Sequence, residues 1–378
     1  MNNSAKTGRF RDNYHVVFGM RLPHMDSVAL FMEKTQPTQL EELKREMLQC
    51  LISKKVFHKF LFEGFYPVAI DGTGISSYDY EPWSGCPYKK YKAGKTVWQV
   101  PILEAKLVFV NGFSISFCTQ WILNTEDSDK QSCELQAFKE ISEKIKKQFP
   151  RLPIVILADG LYPKDPVFTI CRNNSWKFII TLKDKTLKLL QEKLCDLLLD
   201  KNYEHKELIL KHTPKFMLKQ THRFINGLSY KSHQLNWFEC VEELTKTENK
   251  TKTNSTTRFV YLTNIHINTD NILKISQYAR QRWRIENEGF DIQKNHGYEL
   301  EHKFSRTSLV AQQNYYQCLQ IAHLINQLVE KSQKYKSTSP DKESIYKNWE
   351  RMIAYLWLCE ISQDEFKNIL LTNCQIRY

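Results

Sequence analysis

Two stretches decide how this chain is read: Val68-Ala69-Ile70-Asp71-Gly72 and Ile154-Val155-Ile156-Leu157-Ala158-Asp159-Gly160. Each is apolar on both faces, the mark of a strand buried within a sheet, and each ends in Asp-Gly. An acid at the C-terminal end of such a strand lies at the rim of the sheet, where α/β folds place their chemistry. The glycine lets backbone or phosphate come close. A later basic and aromatic segment, Tyr278-Ala-Arg-Gln-Arg282-Trp-Arg284-Ile-Glu286-Asn-Glu288-Gly-Phe290, brings a third acid, Glu286. Mg2+ takes oxygen ligands and keeps part of its water, so carboxylates from separate elements can hold two ions about 4 Å apart for in-line attack on phosphate. The expected cofactor is a pair of Mg2+ ions, with Mn2+ able to substitute, and the expected ligands are Asp71, Asp159 and Glu286.

Composition is compatible with that chemistry. The chain has 378 residues, 42% of them hydrophobic and 12% aromatic, enough for about two domains with buried cores. A net charge of +12 favours a polyanionic partner, with nucleic acid first, although many lysine-rich proteins are merely well solvated. The polar N-terminus has no apolar leader and no stretch reaches the ~18 apolar residues of a membrane span, so a cytoplasmic, nucleoid-associated protein without membrane contact is expected. The ten cysteines form no Cys-x-x-Cys pair and read as buried reduced thiols. The eleven histidines show no metal-ligand spacing.

Along the chain, a helical N-terminal region (1–62) precedes a core whose first part covers 63–199. Residues 25–58 read as two helices, the second opened by a capping box at Thr38-Gln-Leu-Glu41. The strand ending at Asp71 leads into a loop over 72–96. Val97–Val110 and Phe113–Ile122 form a hairpin about Asn111-Gly112, the strongest short hairpin signal. A helix over about 130–149 with Leu135, Phe138, Ile141 and Ile145 on one face leads to the strand ending at Asp159, and a helix, strand and helix follow. This order is that of a ribonuclease-H-like mixed sheet flanked by helices, with its first acid on strand one and its second on strand four. Residues 200–262 read as a β-rich insertion whose Thr- and Lys-rich run, 245–257, forms a flexible tip. The second part of the core (263–331) carries Glu286, and a helical C-terminal region (332–378) closes the chain.

On a helix, Arg282 and Glu286 share a face, which by spacing alone fits an ordinary ion pair as well as a site. Their place after the two strand-end aspartates favours the site. Glu288 is a rival third acid, because Arg284 precedes it by the same interval.

These segments together resemble the DDE transposases of bacterial insertion sequences, in the branch with a Tyr-Arg-Glu-Lys signature around the third acid. The resemblance runs from about residue 15 to 330. It rests on Ala69-Ile-Asp71-Gly-Thr-Gly74, Leu103-Glu-Ala-Lys106, Lys130-Gln-Ser-Cys-Glu134, Phe149-Pro-Arg-Leu-Pro153, Ala158-Asp159-Gly-Leu-Tyr162, Arg284-Ile-Glu286-Asn-Glu-Gly-Phe290 and Gln293-Lys-Asn-His-Gly-Tyr298. In that branch a β-stranded insertion separates the second and third acids. Arg282 matches the signature four residues before Glu286, but Ala279 stands where its tyrosine belongs, beside Tyr278, and Gln293 where its lysine belongs, beside Lys294. The resemblance implies DNA cleavage at terminal inverted repeats and strand transfer into target DNA, carried out by a homodimer on paired ends. It implies DNA contacts from Tyr278, Arg282, Arg284 and Lys294. Trp237, in the insertion, is either core or an aromatic that stacks on a flipped base. Glu104 and Glu134 match positions near the sheet, where either is also readable as a structural acid. The alternatives are an endonuclease of the same fold without strand transfer, and an inactive or domesticated DNA-binding derivative.

Overall fold

The computed structural model describes residues 8–91, 94–122, 130–213, 216–248, 251–338, 345–371 and 377–378. The chain forms two compact units. One comprises Met1–Val56, Ile75–Gln99 and Phe290–Tyr378; the other comprises Phe57–Gly74 and Val100–Gly289.

The strands are β1 (Tyr66–Tyr78), β2 (Tyr88–Lys90), β3 (Thr96–Val108), β4 (Ser114–Trp121), β5 (Ile154–Ala158), β6 (Lys177–Thr181), β7 (Glu204–Thr213), β8 (Phe216–Tyr230), β9 (His233–Glu248) and β10 (Thr251–Thr263). Five of them form a mixed sheet in the order β4-β3-β1-β5-β6, with β5 parallel to both β1 and β6 and β3-β4 an antiparallel hairpin. That is the ribonuclease-H-like arrangement. Gly112 turns the hairpin at φ +93°, a conformation that costs an L side chain strain. Val68, Ala69, Ile70 and all of Ile154–Ala158 are buried, as two-faced apolar strands require. Helix Lys130–Gln148 covers the sheet through buried Phe138, Ile141 and Ile145, and helix Asp165–Asn173 through Val167, Phe168 and Cys171.

Beyond β6 the sheet continues antiparallel through β10, β9 and β8 to β7 at its open edge. This is the expected β-rich insertion, but the described residues of the run 245–257 are strand and not a flexible tip, and residues 249–250 lie outside the described residues. The strand residues pair across β9 and β10, from Thr251 with Glu248 to Thr257 with Glu242. Threonine is β-branched and suits a pleated ladder, which outweighs the polar, repetitive composition. β7 is mostly exposed and its pairing with β8 slips between Ile209 and Lys211.

Three further expectations change. β1 does not stop at Asp71 but runs on to Tyr78, because Ile75, Ser76 and Tyr78 find burial and the Tyr78 hydroxyl donates to the Ser305 carbonyl at 2.7 Å. The stretch read as a loop also holds β2, paired with the start of β3. Helix Pro37–Ser53 is capped two residues before the proposed box: Pro37 takes the first helical position, and the Gln39 side chain accepts from the Gln36 amide at 3.3 Å. A helix at Gly8–Phe18, not foreseen, joins Met25–Lys34 in the same unit as Leu309–Glu330, Ile345–Leu358 and Gln363–Leu371. Side-chain amides tie these helices: Asn13 donates to the Leu356 and Cys359 carbonyls, and Asn314 to those of Met32 and Thr35, all within 2.8 Å. Among the described residues no helix is long and apolar enough to cross a membrane.

The insertion contains a fully buried charge. Glu239 of β9 takes Arg223 of β8 on Oε1 and Arg258 of β10 on Oε2, the latter at 2.6 Å. A buried carboxylate stripped of its cations is costly, whereas one remaining arginine still compensates it. Arg223→Leu and Arg258→Leu are each expected to cost about 1 kcal/mol, and the double variant about 3–5 kcal/mol. Urea unfolding of the three variants checks this; strict additivity would show that the clamp does not act as a unit.

Candidate active site

The parallel register of β1 and β5 sets Ile70 beside Ala158, so Asp71 and Asp159 follow at the same level on adjacent strands, about 5 Å apart in the hydrogen-bonding direction. The third acid arrives from an irregular helix. Ile272–Ala279 is α-helical, Arg280–Trp283 tightens to a 3-10 turn, and Ile285–Asp291 widens into a π-helix before Ile292–Asn295 resumes the α form. A π turn within an α-helix is an uncommon distortion that recurs at functional sites. Gly289 permits it here: a Cβ at this position would lie 3.0 Å from Ser114 Oγ and 3.1 Å from Lys106 Cδ.

Of the two glutamates on this turn, Glu286 is the one that acts on Asp71. Burial pushes the Asp71 carboxyl up to about 7, and repulsion from Glu286 and, more weakly, Asp159 adds to this. Arg282 and the Gly72 amide, which donates to Asp71 Oδ1 at 2.9 Å, pull it down. Arg282, itself buried, donates to Glu286 Oε1 at 2.8 Å. Glu288 instead pairs with Arg284, which also donates to the Val110 carbonyl at 3.1 Å.

Of three further neighbours, the sequence reading gave Lys183 and Tyr162 no role and Glu134 only a place near the sheet. Asp159 Oδ1 accepts the Leu161 amide at 2.8 Å, while Oδ2 is held by Lys183 Nζ at 3.2 Å. Glu134 stands close enough that a Cβ on Gly72 would lie 3.6 Å from its Oε1. The Tyr162 hydroxyl is buried without a hydrogen-bond partner, and its ionisation is pushed far up by burial and then by Glu134, Asp71 and Asp159. A lysine two residues past a strand end and a tyrosine in an apolar run leave no periodic signature. Only knowledge of which strands are neighbours connects them to the acids.

The other expected residues are distributed differently. Trp237 is 1% exposed on β9, which is the core alternative weighed for it. Tyr278 is 5% exposed, with its ring on Phe62 and its hydroxyl donating to the Phe60 carbonyl at 3.0 Å, so it fills the interior rather than facing DNA. The large aromatic exposed on this helix is Trp283, set edge-on to Phe259 with Arg280 stacked over Phe259. Gln293 is a buried amide donating to Gln320 and His323, whereas its neighbour Lys294 pairs with Glu301 at 2.7 Å. Glu104 is a structural acid that accepts from Ser116 and Thr119.

The donors around Asp71 are hard oxygens, and an orphaned buried hydroxyl lies in their field, which suits Mg2+ in kind. Among the described residues no three His, Cys, Asp or Glu side chains converge closely enough to hold one ion. Mg2+ is commonly held by one or two carboxylates with water and phosphate completing its shell, so the donor set still fits.

A mixed ribonuclease-H-like sheet with two acids level with each other on neighbouring parallel strands, and a third on a later helix, defines a class of polynucleotide-processing sites. The family described as transposase DDE domain matches residues 64–325, and the chain belongs to that family. A search of curated proteins found no match. Membership supports a role in transposition and DNA recombination.

The raised Asp71 carboxyl makes a prediction for stability. Its ionisation is harder in the folded chain than in the unfolded one, so the fold loses stability as pH rises from about 4 to about 7 and carries the full cost above that. In EDTA, Asp71→Asn is expected to stabilise the protein at pH 8, by at most on the order of 4 kcal/mol, and by progressively less toward pH 4. Denaturant unfolding at both pH values tests this, and an equal gain at each would assign it to something other than the charge.

Proposed function

We propose that the protein is the DNA transposase of an insertion sequence, cleaving at terminal inverted repeats and transferring the released 3′-hydroxyl into target DNA. The observation that carries this reading is that Asp159 lies level with the half-buried Asp71 on the neighbouring strand of a ribonuclease-H-like sheet, with Glu286 close enough to repel its carboxylate. Asp71, Asp159 and Glu286 would hold two divalent ions, Mg2+ or Mn2+. Bound there, the ions would supply Lewis acidity to the scissile phosphate and to the attacking oxygen. Asp71 would give up its proton as it takes a ligand role. Arg282, Arg284 and Lys294, each paired with a glutamate, would exchange these partners for phosphates, which offer stronger charge-assisted bonds in bidentate geometry to arginine.

Within this reading the chain belongs to the Tyr-Arg-Glu-Lys branch, with Arg282 and Glu286 in the signature positions and the β7–β10 insertion between the second and third acids. Residues 63–199 and 263–331 form the catalytic core, 200–262 the insertion, and 1–62 and 332–378 the flanking helical regions. Two protomers act on paired ends in a cytoplasmic, nucleoid-associated complex.

Carboxylates that ligate metal are not needed to grip phosphate, so the two activities should separate. Asp71→Ala and Asp159→Ala are expected to abolish Mg2+-dependent cleavage of a labelled terminal-repeat duplex while binding it within about three-fold of wild type. Wild-type cleavage in either variant would remove the proposed site. Cleavage without joining of a pre-cut end to target would identify an endonuclease, and binding without cleavage by the unaltered chain an inactive derivative.

The two glutamates of the π turn separate in the same assay. Glu286→Gln is expected to lose cleavage and Glu288→Gln to retain most of it, both judged on folded protein by circular dichroism. The reverse result would move the third ligand to Glu288.

A further inference from the structure

Asp159 carries a cation of the protein's own. The backbone around Lys183 is fixed: the Leu182 amide donates to the Val260 carbonyl at 2.8 Å, and the Thr186 hydroxyl donates to the Lys183 carbonyl at 2.7 Å. From this anchor the side chain crosses Gly160 to reach Asp159 Oδ2. A Cβ on Gly160 would lie 2.4, 2.6 and 2.7 Å from Lys183 Cγ, Cδ and Cε, so the lysine stem occupies the space that any side chain at 160 would need. Gly160 does not have the positive φ that would itself demand glycine. The glycine of the second Asp-Gly therefore makes room for a lysine. Because Oδ1 is tied to the Leu161 amide, Oδ2 is the oxygen with which Asp159 meets a cation, and Lys183 holds it.

We propose that Lys183 is a displaceable internal cation: a divalent ion that takes Asp159 Oδ2 releases the ammonium, which then pairs with a DNA phosphate, so that ion loading and DNA grip are coupled through one side chain. This rests on the transposase reading above and adds a positioning residue that the family resemblance did not supply. The exchange conserves charge locally. Asp159 passes from one cation to another, and the lysine passes from a carboxylate to a phosphate. The Lys183 side chain is about half exposed, so the ion pair is a weak one that a divalent ion can break.

Two variants separate the parts of this device. Lys183→Met keeps an apolar stem over Gly160 and removes the charge. Gly160→Ala keeps the charge and drives the stem away from Asp159. Both are checked for wild-type folding by circular dichroism and melting. In titrations of DNA-free protein with Mn2+, followed by electron paramagnetic resonance, each variant is expected to bind the ion about five-fold more tightly than wild type, the range open to one exposed ion pair. Binding to a labelled duplex of scrambled sequence is then measured against salt, without divalent ion and with Ca2+ at a fixed concentration. Each phosphate contact contributes about 0.9 to the slope of log affinity against log salt. Wild type and Lys183→Met should share one slope without Ca2+ and differ by about 0.9 with it, whereas Gly160→Ala should show the steeper slope in both conditions.

An equal loss of slope in Lys183→Met with and without Ca2+ would make Lys183 a permanent phosphate contact and overturn the exchange. Unchanged ion affinity in both variants would reduce the pair to an ordinary surface ion pair and also overturn it. If wild type itself bound neither Mn2+ nor duplex, the transposase reading would fail and the exchange with it; if wild type bound both and the variants matched it, only the exchange would fail.

Discussion

Like charges cannot be gathered in a partly dry site without compensation, and the second unit is organised around that constraint. Burial, and then repulsion from Glu286 and more weakly from Asp159, raises the Asp71 carboxyl on β1 to about 7. Each acid has a donor or cation of its own: the Gly72 amide for Asp71, the Leu161 amide and Lys183 for Asp159, and Arg282 for Glu286. These contacts offset part of the repulsion among the acids. They also leave each acid with a partner that a divalent ion or a phosphate can replace.

The same balancing fixes the insertion to the helix that bears Glu286. Arg280, in the 3-10 turn just before the π segment, pairs with Glu242 of β9, and Gln220 of β8 donates to that same glutamate. Glu239, three residues earlier on β9, is clamped by two arginines from its flanking strands. The insertion is thus held internally by a buried ion cluster and attached by another to the segment that delivers the third acid. A β-rich excursion of some sixty residues leaves the helix that bears Glu286 anchored at its start.

Much of this was legible because it depends on local pattern. The buried strands, the Asn111-Gly112 hairpin and the amphipathic helix with Phe138, Ile141 and Ile145 follow from period and turn chemistry, and they put Asp71 and Asp159 on neighbouring strands. What failed did so for identifiable reasons. Threonine repeats look like a linker until they are paired, which a single strand of sequence cannot reveal. Tyr278 has a type suited to DNA, but its burial is decided by packing from distant elements. The Arg282–Glu286 spacing held, while the lysine of the signature fell beside its expected place. A π turn takes in one residue more, so spacing counted past Glu286 slips by one, and the buried and outward positions fall on Gln293 and Lys294 in turn. Lys183 was invisible for the plainest reason, since its partner lies 24 residues away across a strand-to-strand step.

A sheet that ends in solvent offers unpaired amides and carbonyls to any other strand, and long flat edges of that kind seed aggregation. β7 is such an end, ten residues long and mostly exposed, with Ile209 and Leu210 among its outward apolar groups. Its irregularity between Ile209 and Lys211 breaks the flatness at that apolar point, and Lys206, Lys211 and His212 flank it with charge or polarity. The slip in pairing that looks like a defect in the ladder therefore works against sheets of separate molecules joining edge to edge.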